Sequence, residues 1–377
     1  DENEIKRIRK NRKDSDGFFL VTLAFGFSFI IKKRSSFTNY FLMQEGRMRS
    51  VEKMKYAEMA YVKNPVSRIF FRNGDVVGFG KEVPEVNYWI LFTDPESQHL
   101  IRHECMDSRR RYLANGSKKR ICGKKIVILS KCGHPDLKTW EKRVNEKAMW
   151  EDLETSLKEL RTDFLDIYLL HRDDPDVETG EIVEIFNGMH AEGKIGAFGG
   201  SNWTHERIEQ ANEYAYKHNL IPFTVSSPNF GLADQAGDPW GGGCVTISGP
   251  KEVEAREWYR KQNMPVVAYS SLAHGLLAGK VKSTDRERVA ELLDAPTIKG
   301  YGSEENFERL RRCEILAAEK QATVAQIAMA YIFHQDLNVF AVVSASKPER
   351  MKENIEALQI PLTKGEAAWL DLRREKR

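Results

Sequence analysis

Short apolar runs alternate with helix-forming segments along the chain from residue 126 to about residue 360. Six such units follow one another, and the apolar runs are almost free of polar residues between their ends. Continuously apolar strands are typical of a parallel sheet that is covered by helices. Because parallel neighbours are joined by crossover connections, this repeating order of strand and helix predicts an α/β fold.

The spacing of apolar residues gives approximate bounds for these elements. Segment 141–161 carries a stripe with intervals of four, four and three residues, formed by Met149, Leu153, Leu157 and Leu160. The other predicted helices lie at 181–193, after a Thr204 cap, at 250–263, 305–320 and 323–335, and after a Ser346-x-x-Glu349 capping box that opens the final helix. The predicted strands lie at 126–129, 164–170, 195–200, 223–226, 266–269 and 339–343.

Polar residues gather where the predicted strands end, at Lys131, His171, Ser201-Asn202, Ser226-Ser227, Ser270 and Ser344 to Ser346. In a (β/α)8 barrel this rim is the active site, whereas a doubly wound sheet gathers its ligand residues at one switch point. No G-x-G-x-x-G motif follows the first strand. We therefore expect a (β/α)8 TIM barrel, with a disrupted second strand region as an open alternative, because residues 73–122 carry no regular pattern. Residues 54–72 alternate apolar and polar residues around Asn64-Pro65, which predicts an N-terminal β-hairpin before it.

The first 53 residues differ in character from the rest of the chain. A basic cluster precedes the apolar run 17–31, which is shorter than the roughly 20 residues that span a bilayer. Three interpretations stay open for this run: a leader outside the working protein, a signal peptide or short anchor, and a buried hairpin. We expect residues 1–53 to be such a leader and residues 54–377 to form one barrel.

Charge and cysteine content exclude several classes of protein. The 377 residues include 58 basic and 55 acidic residues, a net charge of +3 that gives no global nucleic-acid signal. The basic segment 102–125 is interpreted as a solvated loop, since no interleaved aromatic residues accompany it. Five irregularly spaced cysteines argue against a secreted disulfide scaffold. Cys132-Gly133-His134 has no further ligands at zinc spacing, so we expect no metal site. We also expect no membrane partner and a cytoplasmic location.

Lys131 and His171 end consecutive predicted strands, so both are expected at the barrel mouth. A partly desolvated lysine there can lower the pKa of a neighbouring acid, and a histidine can donate a hydrogen bond to a carbonyl oxygen. The alternative is structural, with Lys131 paired to a carboxylate and His171 capping a loop.

Two loops on the other side of the rim suggest phosphate binding. In barrels the loops after the seventh and eighth strands form a phosphate site with a helix N-terminus, which here means 270–277 and 344–347. Lys347 and Arg350 add positive charge suited to a phosphomonoester. Ser346 alone is equally well explained as a helix cap.

Six segments, taken together, carry a family resemblance: MKYAEM, VILSKCGHP, DFLDIYLLHRDDP, AEGKIGAFGGSNW, VAYSSLAHGLLAGK and SASKPERMKENIEAL. From Met54 to about residue 360, except for 73–122, the chain resembles the aldo-keto reductases, which are NAD(P)H-dependent oxidoreductases on a TIM barrel. The resemblance implies hydride transfer from NADPH to the carbonyl of a small aldehyde or ketone.

The resemblance also implies roles for individual residues. The family holds the nicotinamide through residues that correspond here to Ser201, Asn202, Ser227 and Tyr269. Ser227 stands where the family usually has glutamine, and a core aromatic is the alternative for Tyr269. The pyrophosphate would contact Ser270, Leu272 and Gly275. The adenosine side would contact Ser346, Lys347, Arg350, Glu353 and Asn354, with Lys347 and Arg350 favouring NADP over NAD.

The catalytic residues are only partly recognisable. The family uses a tyrosine as general acid, tuned by an aspartate and a lysine, with a histidine that orients the carbonyl. Lys131 and His171 match two of these, and Asp94 is a loose match for the aspartate, but no matching tyrosine follows it. The alternative function is therefore a catalytically impaired NADPH-binding pseudoenzyme. The chain from Met54 to Lys131 has about the length that the family needs, although residues 73–122 do not match the family. This combination also suggests two compensating reading-frame shifts, and resequencing of the coding DNA tests that hypothesis.

Overall fold

The computed structural model describes residues 18–22, 28–32, 56–57, 59–62, 66–72, 88–92, 126–136, 138–160, 162–343 and 348–377. The chain divides into two compact units, Asp1–Ser50 and Val51–Arg377. In the first unit, β1 (Phe18–Thr22) pairs antiparallel with β2 (Ser28–Lys32). No helix within the described ranges is both long enough and apolar enough to cross a membrane. The expected boundary between residues 53 and 54 stays a prediction.

A short antiparallel ladder opens the second unit. It joins β3 (Tyr56–Ala57) to β4 (Val66–Ser67), with Ala57 opposite Val66. Two residues on each side form a much shorter pairing than the alternation over 54–72 suggested, so the N-terminal hairpin remains a prediction.

Eight strands of the second unit close into a barrel: β5 (Ile69–Arg72), β6 (Tyr88–Phe92), β7 (Ile126–Cys132), β8 (Leu165–Leu170), β9 (Ile195–Ser201), β10 (Val225–Ser227), β11 (Val266–Ala268) and β12 (Val339–Val343). The six strands from β7 to β12 run parallel to one another in sequence order. β5 joins the same sheet parallel to β12, with Val342 opposite Phe70. The predicted α/β class and its curled sheet of parallel strands are confirmed.

The second barrel strand departs from the expected parallel order. β6 runs antiparallel to both neighbours, with Ile90 opposite Phe71 of β5 and opposite Ile128 of β7. The sequence between β5 and β6 has three glycines and a proline, a composition that favours turns over a crossover helix. Neighbouring strands that are joined by a turn pair antiparallel, whereas parallel neighbours need a crossover connection. β6 therefore departs from the parallel order of a (β/α)8 barrel, in the segment where the sequence does not match the family.

Ten α-helices lie in the described part of the second unit: α1 (Glu146–Leu160), α2 (Thr179–Ala191), α3 (His205–Lys217), α4 (Val253–Gln262), α5 (Val289–Leu292), α6 (Ala295–Tyr301), α7 (Glu304–Lys320), α8 (Val324–Phe333), α9 (Pro348–Glu356) and α10 (Lys364–Leu370). The predicted Thr204 cap is confirmed, since its side chain accepts from the backbone N–H of Arg207. The expectation that α9 is the final helix is wrong. α10 follows it behind a second capping box, Thr363 with Glu366.

The core has two parts. Nine residues of the barrel strands form a buried inner cluster: Val127, Leu129, Ile167, Leu169, Ala197, Val225, Val267, Phe340 and Val342. A larger outer cluster lies between the strands and the helices, where the rings of Phe186 and Phe198 stack at 5.3 Å and Phe223 meets both edge-on. Burial on both faces explains why the strands carry continuous apolar runs.

Candidate functional site

Strand alternation carries the predicted rim residues to the inner face of the barrel. Successive side chains of a strand point to opposite faces, so residues two apart share a face. Lys131 lies two residues beyond Leu129 of the inner cluster and continues its face to the carboxyl end of β7. The same spacing leads from Leu169 to His171, from Ala197 by way of Gly199 to Ser201, from Val225 to Ser227, and from Val267 to Tyr269.

Lys131 is partly buried at this mouth and connects three strands. Its Nζ donates hydrogen bonds to Ser201 Oγ at 2.8 Å and to Ser227 Oγ at 3.3 Å. Ser201 Oγ in turn donates to the backbone oxygen of Ser227 at 2.9 Å. The ammonium group is therefore held by hydroxyls of β9 and β10, which keep its positive charge near the barrel axis.

His171 follows β8 directly and is fixed by its backbone. Its N–H donates to the carbonyl oxygen of Cys132 at 2.7 Å, and its carbonyl oxygen accepts from Asn202 Nδ2 at 3.1 Å. The ring lies edge-on to His134, with centroids 4.7 Å apart. His134 Nδ1 lies 2.7 Å from the carbonyl oxygen of Pro135, which requires the proton on Nδ1. Sequence reasoning considered His134 only as a metal ligand and missed this pairing of rings.

Asn202 joins three parts of the rim through its side chain. Its backbone has φ of +60°, a left-handed conformation that asparagine tolerates better than most residues. Oδ1 accepts from Tyr269 Oη at 2.6 Å and from the backbone N–H of Val245 at 3.2 Å. With the Nδ2 bond to His171, the amide links β8, β11 and the loop after β10.

Tyr269 follows β11 and presents its ring to the same mouth. The Lys131 Nζ lies 5.9 Å from the ring centroid. Burial raises the pKa of the Tyr269 phenol above its ordinary value, so this hydroxyl remains a donor to Asn202 at neutral pH. The ring is partly buried, and both interpretations of Tyr269, as a nicotinamide contact and as a core aromatic, stay predictions.

The segment after Tyr269 has an unusual backbone. Ser270, Ala273 and His274 have φ between 51° and 53°, and Gly275 has φ of 116°. Non-glycine residues in this left-handed region are strained, and such strain clusters at ligand-binding loops. Leu272 lies within the same turn, where its carbonyl oxygen accepts from the N–H groups of Gly275 and Leu277. Alternation of left- and right-handed residues forms concave groups of N–H donors that suit anions.

The predicted adenosine side is only partly within the described residues. Arg350 is exposed on α9, Glu353 is partly buried, and Asn354 is buried. The Glu353 carbonyl oxygen accepts from Gln326 Nε2 of α8 at 3.2 Å, which ties the two helices together. Ser346 and Lys347, like Asp94, lie outside the described residues, and so does the predicted capping box.

The loop after β10 crosses the rim. Asn229 holds both arms of this loop: its backbone pairs with Val245 and Ile247, and its Oδ1 accepts from Thr246 Oγ1 at 2.9 Å. Its Nδ2 donates to Tyr301 Oη at 2.9 Å. Sequence reasoning missed Asn229, although an asparagine directly after Ser-Ser-Pro at a strand end was a usable signal.

The comparisons with known proteins fit this geometry. The sequence profile of the Aldo/keto reductase family matches residues 109–372, well over half of the chain. The chain belongs to the aldo/keto reductase family. The family predicted from the sequence is thus confirmed, and the match includes every predicted site residue except Asp94.

Three curated relatives illustrate the range of similarity to other aldo/keto reductases. Aryl-alcohol dehydrogenase GME11368 of Pestalotiopsis microspora is 25% identical over 250 residues, 66% of this chain and 59% of that protein. Aldo-keto reductase AFTS1 of Alternaria alternata is 23% identical over 375 residues, 88% and 96% of the two chains. The NADH-specific methylglyoxal reductase of Escherichia coli (strain K12) is 26% identical over 274 residues, 67% and 75%. The matched part therefore covers about three fifths of the Pestalotiopsis protein.

Membership in the aldo/keto reductases supports an oxidoreductase function and carbonyl reduction in general. Members of the family use nicotinamide cofactors and act on small molecules. The side chains at this rim suit such a cofactor, because hydroxyl and amide groups beside a partly buried aromatic ring match the donors, acceptors and flat face of a nicotinamide carboxamide.

Proposed function

We propose that this aldo/keto reductase is an NADPH-dependent carbonyl reductase on a (β/α)8 barrel, acting on a small aldehyde or ketone. One observation carries the proposal: a single hydrogen-bond network joins Lys131, Ser201, Asn202, Ser227 and Tyr269 at the carboxyl ends of four strands. Barrel enzymes act at this rim.

The proposed roles follow from chemistry and position. When bound, the nicotinamide cofactor supplies the hydride. Ser201 and Asn202 are proposed to bind its carboxamide, with Ser227 beside them and the Tyr269 ring against its face. The segment containing Ser270, Leu272 and Gly275 is proposed to bind the pyrophosphate, since successive left-handed residues of this kind are typical of anion-binding turns. The adenosine side is proposed for Ser346, Lys347, Arg350, Glu353 and Asn354.

Lys131 and His171 are proposed to act on the substrate carbonyl. The ammonium of Lys131 stabilises negative charge that develops on the carbonyl oxygen, and it lowers the pKa of an acid that donates the proton. The ring of His171, backed by His134 at 4.7 Å, orients the same oxygen through a hydrogen bond. Asp94, which lies outside the described residues, is proposed as the tuning aspartate from the sequence resemblance alone.

One observation favours the alternative, an NADPH-binding pseudoenzyme. Tyr88 at the start of β6 lies opposite Ser130, while Phe92 at its end lies opposite Ile126 at the start of β7. The carboxyl end of β6, from which the family takes its aspartate and tyrosine, therefore lies at the opposite end of the barrel from Lys131. General acid assistance is worth about 10²–10⁴-fold, so its loss would lower turnover far more than cofactor affinity.

A turnover assay tests the proposal against this alternative. The decrease of NADPH absorbance is followed with a panel of aldehydes and ketones, and the alcohol product is quantified. We expect one alcohol for each NADPH consumed. Absence of product in a sample that binds NADPH would favour the pseudoenzyme.

The preference for NADPH gives a prediction at α9. Arg350→Ala should weaken NADPH binding by about tenfold, since a charge-assisted hydrogen bond is worth about 1.5–3 kcal/mol and solvent exposure reduces it. NADH binding should change less than about twofold, because NADH lacks the phosphomonoester. Fluorescence titration with both nucleotides measures the two affinities.

Lys352→Ala is the matched control for Arg350→Ala. Lys352 lies on the same helix, is exposed, and pairs with Glu356 at 3.7 Å. This variant should leave the ratio of the two affinities unchanged. An equal loss of NADH and NADPH affinity in Arg350→Ala would contradict the assignment of the phosphate contact.

The names of the relatives do not determine whether this chain prefers NADP or NAD. The Escherichia coli relative is named for NADH, so the NADP preference here rests on Lys347 and Arg350. A cytoplasmic location and the division into residues 1–53 and 54–377 are likewise proposed from the sequence.

A further inference from the structure

Arg172 occupies a position at the barrel mouth that the roles above do not use. It follows His171 directly at the end of β8. Its Nη1 donates to the Cys244 Sγ at 3.1 Å. Val245, the residue after Cys244, donates its backbone N–H to Asn202 Oδ1 at the end of β9. The loop after β10 therefore reaches across β9 and brings Cys244 to Arg172 at the end of β8. The guanidinium therefore lies beside the loop after β10, at a thiol that also interacts with Tyr269 of the rim.

Four carboxylates that are close in sequence to Arg172 or to Cys244 are held by other groups. Asp173 accepts from Arg207, Asp174 and Asp176 accept from Lys142, and Asp238 accepts from the backbone N–H of Cys244 and Trp240. Within the described ranges, no carboxylate lies within salt-bridge distance of Arg172.

A thiol is a weak acceptor for a guanidinium, which has five N–H donors. Burial raises the pKa of the Cys244 thiol, and the nearby Arg172 acts in the opposite direction. Cys244 thus stays largely protonated and gives Arg172 no compensating charge. Since Arg172 is partly buried, an anion with two acceptor oxygens would satisfy it much better than Cys244 does.

Trp140 lies at the other end of the same short turn. Gly241, Gly242 and Gly243 have φ of 87°, 123° and 72°, three successive values that glycine adopts without strain. A Cβ on Gly241 would lie 3.5 Å from the Trp140 ring, and one on Gly243 would lie 4.0 Å from Arg172 Nη1. The glycine turn therefore lies between the Trp140 side chain, which is 55% exposed, and the Arg172 guanidinium.

We infer that Arg172 binds the carboxylate of the substrate, so that this reductase selects small aldehydes or ketones that carry an anionic group. Trp140 covers the apolar part of such a substrate. The inference rests on the proposed function and names its substrate class. Reduction consumes one NADPH and one proton for each carbonyl and gives the alcohol and NADP⁺, and Arg172 takes no part in that exchange.

Benzaldehyde and 4-carboxybenzaldehyde form a matched pair of test substrates, since they differ only in the carboxylate. The native chain should reduce 4-carboxybenzaldehyde with a kcat/KM at least about tenfold higher. Arg172→Gln should remove this preference, mainly through KM, and should change kcat/KM for benzaldehyde less than about threefold. Arg172→Lys should retain part of the preference because it keeps the charge.

Arg260→Gln serves as the control for loss of an arginine. Arg260 lies on α4 and pairs with Glu257 three residues away. This variant should keep the preference for 4-carboxybenzaldehyde. If the native chain reduces benzaldehyde, a preference that survives in Arg172→Gln, or one that is absent from the native chain, would overturn the inference.

Calorimetric titration separates this inference from the proposed function, because it needs no turnover. 4-Carboxybenzaldehyde is titrated into the chain with NADP⁺, where no reduction occurs, and into the chain alone. Binding in either titration that weakens at least about tenfold in Arg172→Gln supports the anion site, even if no carbonyl is reduced. No binding to the chain in either form overturns the anion site, whereas turnover of benzaldehyde alone would still support the reductase.

Discussion

Replacement of Lys131 by methionine is expected to lower kcat for carbonyl reduction by at least about 100-fold. Methionine is similar in length but carries no charge, so it cannot stabilise negative charge on the substrate oxygen or tune an acid beside it. The structural effect should be small, because Ser201 Oγ keeps its bond to the Ser227 backbone oxygen. NADPH affinity, measured by fluorescence titration, should change less than about threefold.

Lys217→Met is the matched control for Lys131→Met. Lys217 is exposed on α3 and pairs with Glu213 at 3.7 Å, a surface pair worth at most about 0.5 kcal/mol. Its kcat should equal that of the native chain. Unchanged kcat in Lys131→Met would contradict the catalytic role, and a parallel loss of NADPH binding would mean that Lys131 mainly supports the fold of the site.

Gly199→Ala is expected to lower the free energy of unfolding by about 3 kcal/mol or more. A Cβ at Gly199 would lie 1.8 Å from the carbonyl oxygen of Val225, a backbone atom of the neighbouring strand β10. Val225 pairs directly with Gly199 in the sheet, so neither strand can move without breaking the ladder that sets Ser201 and Ser227 at the rim. Urea denaturation measures the change.

Gly188→Ala is the same substitution at a position where we expect the opposite effect on the free energy of unfolding. Gly188 lies within α2, and the nearest atom to an added Cβ belongs to Trp150 at 4.0 Å. Alanine in a helix should stabilise the fold by about 0.5–1 kcal/mol. Equal effects of the two substitutions would contradict the close packing of β9 against β10.

The rim of the barrel was predictable because it follows a local rule. Lys131, His171 and Ser201 each stand where a continuous apolar run ends, and those ends are visible in the sequence. The rule places side chains at the rim without any knowledge of distant contacts. It also explains why the predicted bounds of β12, at 339–343, agree with the structure.

The remaining parts depend on contacts that no local pattern encodes. Arg172 and Asn229 gain their roles from a loop that returns across the rim, and their partners are 72 and 17 residues away. The direction of β6 depends on the segment before it, which has neither helical nor strand periodicity. Local spacing could therefore predict the rim but not the loops that complete it.

Equilibrium titration of the full chain with NADPH tests whether the carboxyl-terminal rim of this barrel binds a nicotinamide nucleotide. Binding is followed by the change in NADPH fluorescence and does not depend on turnover. Saturation at about one nucleotide per chain is predicted, with affinity weakened at least about tenfold in Asn202→Ala, whose side chain links β8, β11 and the loop after β10. No saturable binding, or binding that is unchanged in Asn202→Ala, would contradict nucleotide binding at this rim.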